Sequence, residues 1–599
     1  MRADRVRVLL AVLLPLALLP LLGTGGAAAE GPMTTPRRSA PPLRSSAQRR
    51  GDPGVSVDQR FTASDGVSLA TTLTGRAPMA PRPTVVEFSP YGRNSQTLSV
   101  GPEYNYLLVQ DRGTGDSDGR FDALGPRSQQ DVHEVLQWAC HQPWSNGDLA
   151  LNGFSASAII VYNSLHERLP CVKAAILKSG TFELYRDLLV PGGINNILPG
   201  AGVLALIGAP ALMQGGDRLQ RNPSSALDVA GGLLTAGLDD LKHPTQDSWW
   251  RQRGFRGDVN HLPILMVDGF FDVESRGAFQ AYQALKGDGA HLLVVGGHDG
   301  APAGTDDGVA QAHAWLDHYV RGVDNGVTRR PRVQALLSDG ARESYLAGDF
   351  VRYAAPDWPV PGTRWTALHL SPARSGTAHS LNDGSLTLGT PGRIVTQRYP
   401  ALPSDPFATD VPNAAIVGAS GVNRLSSQLP RLTEMDTAEA DGLSFTTATL
   451  RHHVLAAGPL DLDLRLSSTA PSTHIWAVLS DVSPDGHAHP LTVGRLNTSF
   501  PRVVADRSLY SGGRLVQPYG DFGTRDDAAL GRARQYHVEL WPVGNRFRAG
   551  DRIRLDIVGA SAASLPGVPA LDSVVVGGRQ GGVLRFPVLP GSDLATALP

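Results

Sequence analysis

The chain has 599 residues and a formal net charge of −2, from 54 Lys and Arg against 56 Asp and Glu. That length is too great for one hydrophobic core, so at least two domains are expected, and the interspersed charges offer no basic surface for nucleic acid. The two cysteines, Cys140 and Cys171, are too few for a thiolate metal cluster or a disulfide-dense scaffold.

Arg2, Arg5 and Arg7 precede an apolar run from Val8 to Leu22, and Ala27-Ala28-Ala29 follows as a small-residue cleavage site. This predicts a signal peptide over residues 1–29 and a secreted protein with no membrane contact once it is removed. An uncleaved anchor fits less well, because Pro15 and Pro20 interrupt a run already short for a span. Residues 30–54 are rich in Pro, Arg and Ser without apolar periodicity, as a disordered leader is.

From Val55 the pattern becomes that of a folded domain. Runs at Val55–Phe61, Val67–Leu73, Thr84–Ser89 and Tyr106–Asp111 read as strands. The last opens onto Arg112-Gly-Thr-Gly-Asp-Ser-Asp-Gly119. Its glycine spacing is wrong for a dinucleotide fingerprint, so a turn-rich loop bordering a pocket is the better reading. Asp131–Trp138 has helical periodicity, and Gln142–Gly147 turns the chain into the next strand.

That strand ends in Gly153-Phe-Ser155, and Ala, Ile, Val, Tyr and Leu then recur at helical spacing. A serine on such a strand-to-helix turn has its hydroxyl exposed and the amide of Ala156 at a helix N-terminus behind it. The motif is imperfect, since Ser157 stands where G-x-S-x-G has its second glycine. Val172–Leu177 is a further buried strand, so strands alternate with helices and the sheet should be mainly parallel. Cys140 near the end of one helix and Cys171 before the next strand should lie at the same sheet edge. In an exported protein a disulfide between them competes with two free buried thiols.

Residues 183–260 break the alternation. They include the Gly- and Pro-broken apolar segment from Ile197 to Pro210, which suits a helical cap over an apolar pocket, or a helical pair that only packs on the domain. Strands at Ile264–Val267 and His291–Val295 then lead to Asp268-Gly-Phe-Phe-Asp272 and to Gly297-His298, and a helix from about Asp307 to Tyr319 follows. Ionisable residues in glycine-bearing loops at the carboxyl ends of strands occupy the place where open α/β sheets hold their sites. Beyond Val327, short alternating strands such as Leu460–Leu466 and Arg552–Val558 indicate sheets with one wet face. The expected organisation is an α/β-hydrolase domain over 55–342, with its cap at about 183–260, and an all-β sandwich over 343–599.

Hydrolysis of an ester or amide at neutral pH needs a hydroxyl whose proton an imidazole can take, and a carboxylate behind that imidazole. Ser155, Asp272 and His298, each after a separate strand, follow the chain order of the α/β-hydrolase fold. Asp268 comes directly off its strand, where a structural role is expected; His291 opens a strand and His313 lies on the closing helix, both away from the loop ends.

The chain resembles the family of the bacterial cocaine esterase, the Xaa-Pro dipeptidyl-peptidases and the glutaryl cephalosporin acylases. The matching pieces include Asp65-Gly66-Val67-Ser68-Leu69, Ser89-Pro90-Tyr91, Asp111-Arg112-Gly113-Thr114-Gly115, Gln142-Pro143-Trp144-Ser145-Asn146-Gly147, Gly153-Phe154-Ser155, His243-Pro244 with Trp249, Gly269-Phe270-Phe271-Asp272 and Gly297-His298. The stretch from Val538 to Ile557 is similar to the family's carboxyl-terminal jelly roll. The resemblance implies Ser155 as nucleophile, Asp272 as orienting acid, His298 as base, and Tyr91 donating its hydroxyl to the oxyanion beside the amide of Ala156. It implies a small-molecule or peptide acyl substrate, and the sequence itself shows no metal-site or cofactor motif. The chain departs from the family pattern at Ala156 and Ala158, where an aromatic residue and a glycine are usual, and at Phe270, where tryptophan is common. A secreted ester or amide hydrolase is the leading reading, an Xaa-Pro dipeptidyl-peptidase the rival within that chemistry. A non-catalytic exported binding protein with a degenerate hydrolase domain is the rival from another class.

Overall fold

The computed structural model describes residues 54–599 apart from 94, 197–206, 209–210, 212–214, 299, 307, 381, 402–438, 561–563 and 566. The expected signal peptide, nearly all of the leader and most of the apolar segment from Ile197 to Pro210 lie outside the described residues.

Ten strands form the first sheet: β1 (Gly54–Thr62), β2 (Ser68–Arg76), β3 (Arg82–Ser89), β4 (Asn105–Gln110), β5 (Ser145–Phe154), β6 (Val172–Lys178), β7 (Ile264–Asp268), β8 (His291–Val294), β9 (Val333–Ser338) and β10 (Phe350–Ala355). Their spatial order is β1-β2-β4-β3-β5-β6-β7-β8-β9-β10. Pairing is antiparallel at β1–β2, β2–β4 and β9–β10 and parallel everywhere between. The central strands are buried along nearly their whole length, which is why they read as continuous apolar runs: helices cover both faces of a parallel sheet. The order is that of an α/β-hydrolase. Sandwich character was expected from Glu343, yet β10 still extends this sheet along β9, and the all-β part begins with the strand Arg364–Ser371.

Helices Pro126–Cys140 and Ala156–Ser164 flank β5, and Val309–Arg321 closes the layer. Cys140, the last residue of the first of these, is disulfide-bonded to Cys171 before β6, with Cα atoms 6.2 Å apart. Between β6 and β7 the cap contributes helices Gly216–Arg221, Ser225–Lys242 and Ser248–Arg251. Arg218, buried, fastens it to the glycine-rich loop by donating to the carbonyls of Gly115 and Ser117 at 2.6 and 3.3 Å. That loop is itself held by Arg112, which grips Asp131 through Nε and Nη2.

The strands after residue 364 pair almost wholly antiparallel. Val454–Ser468 runs along Arg534–Phe547, and His474–Val482 lies between Ala488–Asn497 and Arg552–Val558. One bridge, Asn545 to Ser338, joins this part to the first sheet. Phe270, at the end of β7, packs against Gly544 so closely that a Cβ there would stand 2.1 Å from the ring. Among the described residues no helix is long and apolar enough to cross a membrane.

Candidate active site

Ser155 sits between β5 and the helix Ala156–Ser164 with φ 58° and ψ −126°, a conformation that costs a non-glycine residue on the order of 1–3 kcal/mol and persists only where the surroundings impose it. They do so here by close packing. A Cβ on Gly153 would stand 2.4 Å from the carbonyl oxygen of Ser157, so the turn needs glycine before the serine. Ser157 itself is fully buried in the first helical turn. The methyl of Ala158, where the family has glycine, is received by Gly180, whose own Cβ would come within 2.7 Å of it. The substitution at Ala158 is thus absorbed by a neighbouring glycine.

Tyr91 reaches the same point from the loop after β3. Its hydroxyl donates to Ser155 Oγ at 3.1 Å and accepts from the amide of Ala156 at 3.2 Å. Burial, partly offset by these two bonds, pushes its pKa up to about 12, so the phenol keeps its proton and remains a donor.

From the loop after β8, the amide of His298 donates to Asp272 Oδ2 at 2.5 Å, and Nδ1 lies 3.1 and 3.0 Å from the two carboxylate oxygens. Asp272 is enclosed: a Cβ at Gly297 would be 1.8 Å from Oδ2, so only glycine fits beside it. Burial works against its charge, but the charge and hydrogen bonds of His298 and the amide of Glu274 outweigh burial and hold its pKa below the ordinary carboxylate value. The imidazole lies against Phe154, the residue before the serine, with ring centroids 4.8 Å apart. Ser155 Oγ is bonded to Tyr91 and not to the imidazole. Such bonds are often loose before substrate arrives.

The rival residues fall elsewhere. His291 is buried at the start of β8 against Trp315, and burial lowers its pKa to about 4. His313 is exposed and bonds the carbonyl of Ser99 at 2.8 Å. Asp268 ends β7, accepts from the amide of Gly269 at 2.7 Å, and is pushed well above the usual carboxyl range by burial and by Asp272.

Two residues were not singled out from the sequence. Glu274 is buried two positions after Asp272; its Oε2 has no hydrogen-bond partner, and burial with the like charges of Asp272, Asp268 and Asp187 raises its pKa well above normal. Lys178 ends β6 with its ammonium 5.3 Å from the Phe154 ring centroid, its pKa lowered to about 8 by burial against the opposing pull of Asp272 and Asp268. The rule that selects Asp272, an ionisable group just past a buried strand, also selects both. Among the described residues no group of three or more His, Cys, Asp or Glu is arranged to hold a metal ion.

A parallel sheet in this order, with a strained serine on a strand-to-helix turn, places the protein among the serine hydrolases of α/β type. The chain belongs to the family of the bacterial cocaine esterase and the X-Pro dipeptidyl-peptidases. Residues 65–299 match the X-Pro dipeptidyl-peptidase (S15 family) model, and residues 325–566 match that of the X-Pro dipeptidyl-peptidase C-terminal non-catalytic domain. The chain is 24% identical over 522 residues to the cocaine esterase of Rhodococcus sp. (strain MB1 Bresler), covering 78% of this chain and 87% of that one. Solved structures of similar fold include a CocE/NonD family hydrolase from Staphylococcus aureus (17% identity, TM-score 0.70, 89% of this chain and 93% of that chain). An α-amino acid ester hydrolase is similar too (17% identity, TM-score 0.69, 94% of this chain and 100% of that chain).

Proposed function

We propose that this protein is an exported hydrolase of acyl esters or amides that works through Ser155, His298 and Asp272 and an acyl-enzyme. The carrying observation is convergence: the Tyr91 phenol is bonded both to the Ser155 hydroxyl and to the Ala156 amide, and a carboxylate-bound imidazole packs on Phe154, the residue before the serine. As Oγ attacks the substrate carbonyl carbon, its proton passes to Nε2 of His298, while Asp272 fixes the Nδ1–H tautomer and stabilises the imidazolium. The carbonyl oxygen becomes an oxyanion held by Tyr91 Oη–H and Ala156 N–H. The imidazolium then protonates the leaving group, and water, deprotonated by His298, releases the acid. The attack requires the Ser155 hydroxyl to leave Tyr91 for the imidazole, which frees the phenol for the oxyanion. The residue 1–29 pattern supports export, and the alternating strands after 364 support a jelly-roll sandwich that buttresses the hydrolase domain.

A second reading concerns the substrate. Glu274 is a buried carboxyl with an unpartnered oxygen beside Asp272, close enough to Tyr91 to act on its titration. An ammonium group on the acyl side would supply the missing partner, which suits an X-Pro dipeptidyl or other free-amine substrate over a simple aryl ester.

Labelling of the purified protein by a fluorophosphonate probe tests the first reading. Wild type should label and Ser155→Ala should not; a labelled Ser155→Ala variant would move the nucleophile elsewhere. Turnover of a dipeptidyl-proline amide, an α-amino ester and an uncharged aryl ester then separates the substrate classes.

A further inference from the structure

In the all-β part, the strands His474–Val482 and Ala488–Asn497 pair antiparallel, and Trp476 lies directly opposite Arg495. Such partners share a face and touch. Both are withdrawn from water, at 1% and 4% exposure. The first part of the cap segment covers them: Ile194 packs with Trp476, Val478, Val493 and Val558 in an apolar cluster separate from the main core. Gly192 lies so near that a Cβ there would be 2.1 Å from the Arg495 carbonyl oxygen.

The guanidinium carbon stands 4.4 Å from the indole centroid of Trp476 and 5.7 Å from that of Trp541. Nη1 donates to Asn196 Oδ1 at 2.6 Å. Nη2 has no hydrogen-bond partner; neither has Nε1 of Trp476, nor Nδ2 of Asn195 on the covering segment. Among the described residues no carboxylate pairs with Arg495, and burial alone brings its pKa down to about 9, so it is still a cation at neutral pH. Three other buried arginines hold a carboxylate, Arg276 those of Asp187 and Glu539, Arg554 that of Glu439 and Arg112 that of Asp131, while Arg218 and Arg253 each donate to two or more backbone carbonyls. A buried charge without a counter-charge is among the costliest arrangements an interior can hold. Attraction to an indole face offsets part of that cost but leaves the N–H groups without an acceptor. Here Arg495 Nη2 and Trp476 Nε1, on cross-strand partners, lack acceptors, as does Nδ2 of Asn195, the neighbour of the residue that Nη1 bonds.

We propose that Arg495 and the indole N–H of Trp476 form an enclosed site for one small monovalent anion, a halide or a carboxylate of formate size, held between the strand pair and Asn195. Because Trp476 and Arg495 are almost wholly withdrawn from water, the ion proposed is one of a few atoms. Bound there, it neutralises the guanidinium and ties the start of the cap to the all-β part, remote in sequence from Ser155 and without a step in the hydrolysis.

The full-length protein is unfolded thermally in sodium bromide, in sodium formate, and in the sodium salt of a bulky sulfonate buffer at matched ionic strength. A ligand that binds only the folded state raises Tm with its logarithm, here roughly 2 °C per tenfold of bromide or formate once the site is filling. The sulfonate should give no such rise, and Arg495→Met should lose the dependence on either ion. A response to bromide alone identifies a halide site, and a response to formate alone a carboxylate site. Equal Tm in all three salts, or the same anion dependence in Arg495→Met, overturns the proposal. If Arg495→Met does not fold, wild-type crystals soaked in bromide decide it: an anomalous peak in contact with Nη2 is expected, and its absence defeats the site.

Discussion

Glu274 and Glu183 are both buried, and they titrate in opposite directions. Glu183, at the start of the cap, is ringed by cations: Arg186 and Arg507 lie 3.4 Å from its carboxylate, Arg276 lies 3.9 Å away, and Tyr519 donates to it. Burial would raise its pKa, but the guanidinium charges prevail and hold it below normal. Glu274, two residues after Asp272, is raised by burial and by the like charges of Asp272, Asp268 and Asp187. Burial alone therefore does not decide ionisation; the partner does. Around Glu183 and Arg276, where the cap, the sheet and the all-β part meet, charges are matched and act as struts. Where the strands β5, β7 and β8 end, a carboxyl is left unmatched, and the group it lacks is one that a substrate could bring.

Breaking the reactive end should cost rate and spare stability. Asp272→Asn keeps the shape of the side chain but favours the wrong imidazole tautomer, so kcat/KM should fall about 10⁴-fold. Thermal unfolding checks the other half: a Tm loss large enough to account for the missing activity would count against a chemical role. Breaking the seam should do the reverse. Arg276→Met leaves buried Asp187 and half-buried Glu539 without their partner, and removing one member of a buried pair costs about 3–5 kcal/mol. Urea unfolding measures this directly; a loss under about 1 kcal/mol would mean that water already reaches the pair.

Tyr91→Phe sits between the two in meaning, since it removes one proton donor and no bulk. Loss of one such donor lowers kcat by about 10²–10³-fold with little change in KM if the bond forms only in the transition state. An equal loss carried by KM would instead make Tyr91 a substrate-binding group.

Much of the candidate site is legible in the sequence because each part of it is local. A buried strand is an apolar run, the turn after it needs glycine at 153 or 297, and Ser155, Asp272 and His298 each follow within a few residues. Glu274 and Lys178 obey the same local rule and went unremarked only because the triad pattern did not call for them. The seam is different. Arg276 and Glu539 are 263 positions apart, and nothing near either residue names the other. The same holds for β4, which pairs with both β2 and β3, and for β10, whose alternating pattern fits a sandwich edge as well as the sheet it joins. Local chemistry writes the elements and the loop-borne groups, while pairings between distant segments depend on how whole layers settle together.

The two glutamates also give the finest test of their contrast. Native Glu274 holds a proton that the unfolded chain releases near the ordinary value of about 4.3, so its burial costs stability increasingly as pH rises from there toward its raised native pKa. Glutamine cannot titrate, so Glu274→Gln should flatten that fall and gain more Tm over wild type at pH 8 than at pH 4. Glu183 has the opposite sign: its native pKa is depressed, so its contribution is present above the unfolded value and is lost as pH falls toward the native one. Glu183→Gln should therefore be destabilising at pH 7 and progressively less so near pH 3. Parallel Tm profiles for the two variants would show that both sites are open to water, and the contrast between a strut and an unmatched carboxyl would then fail at its root.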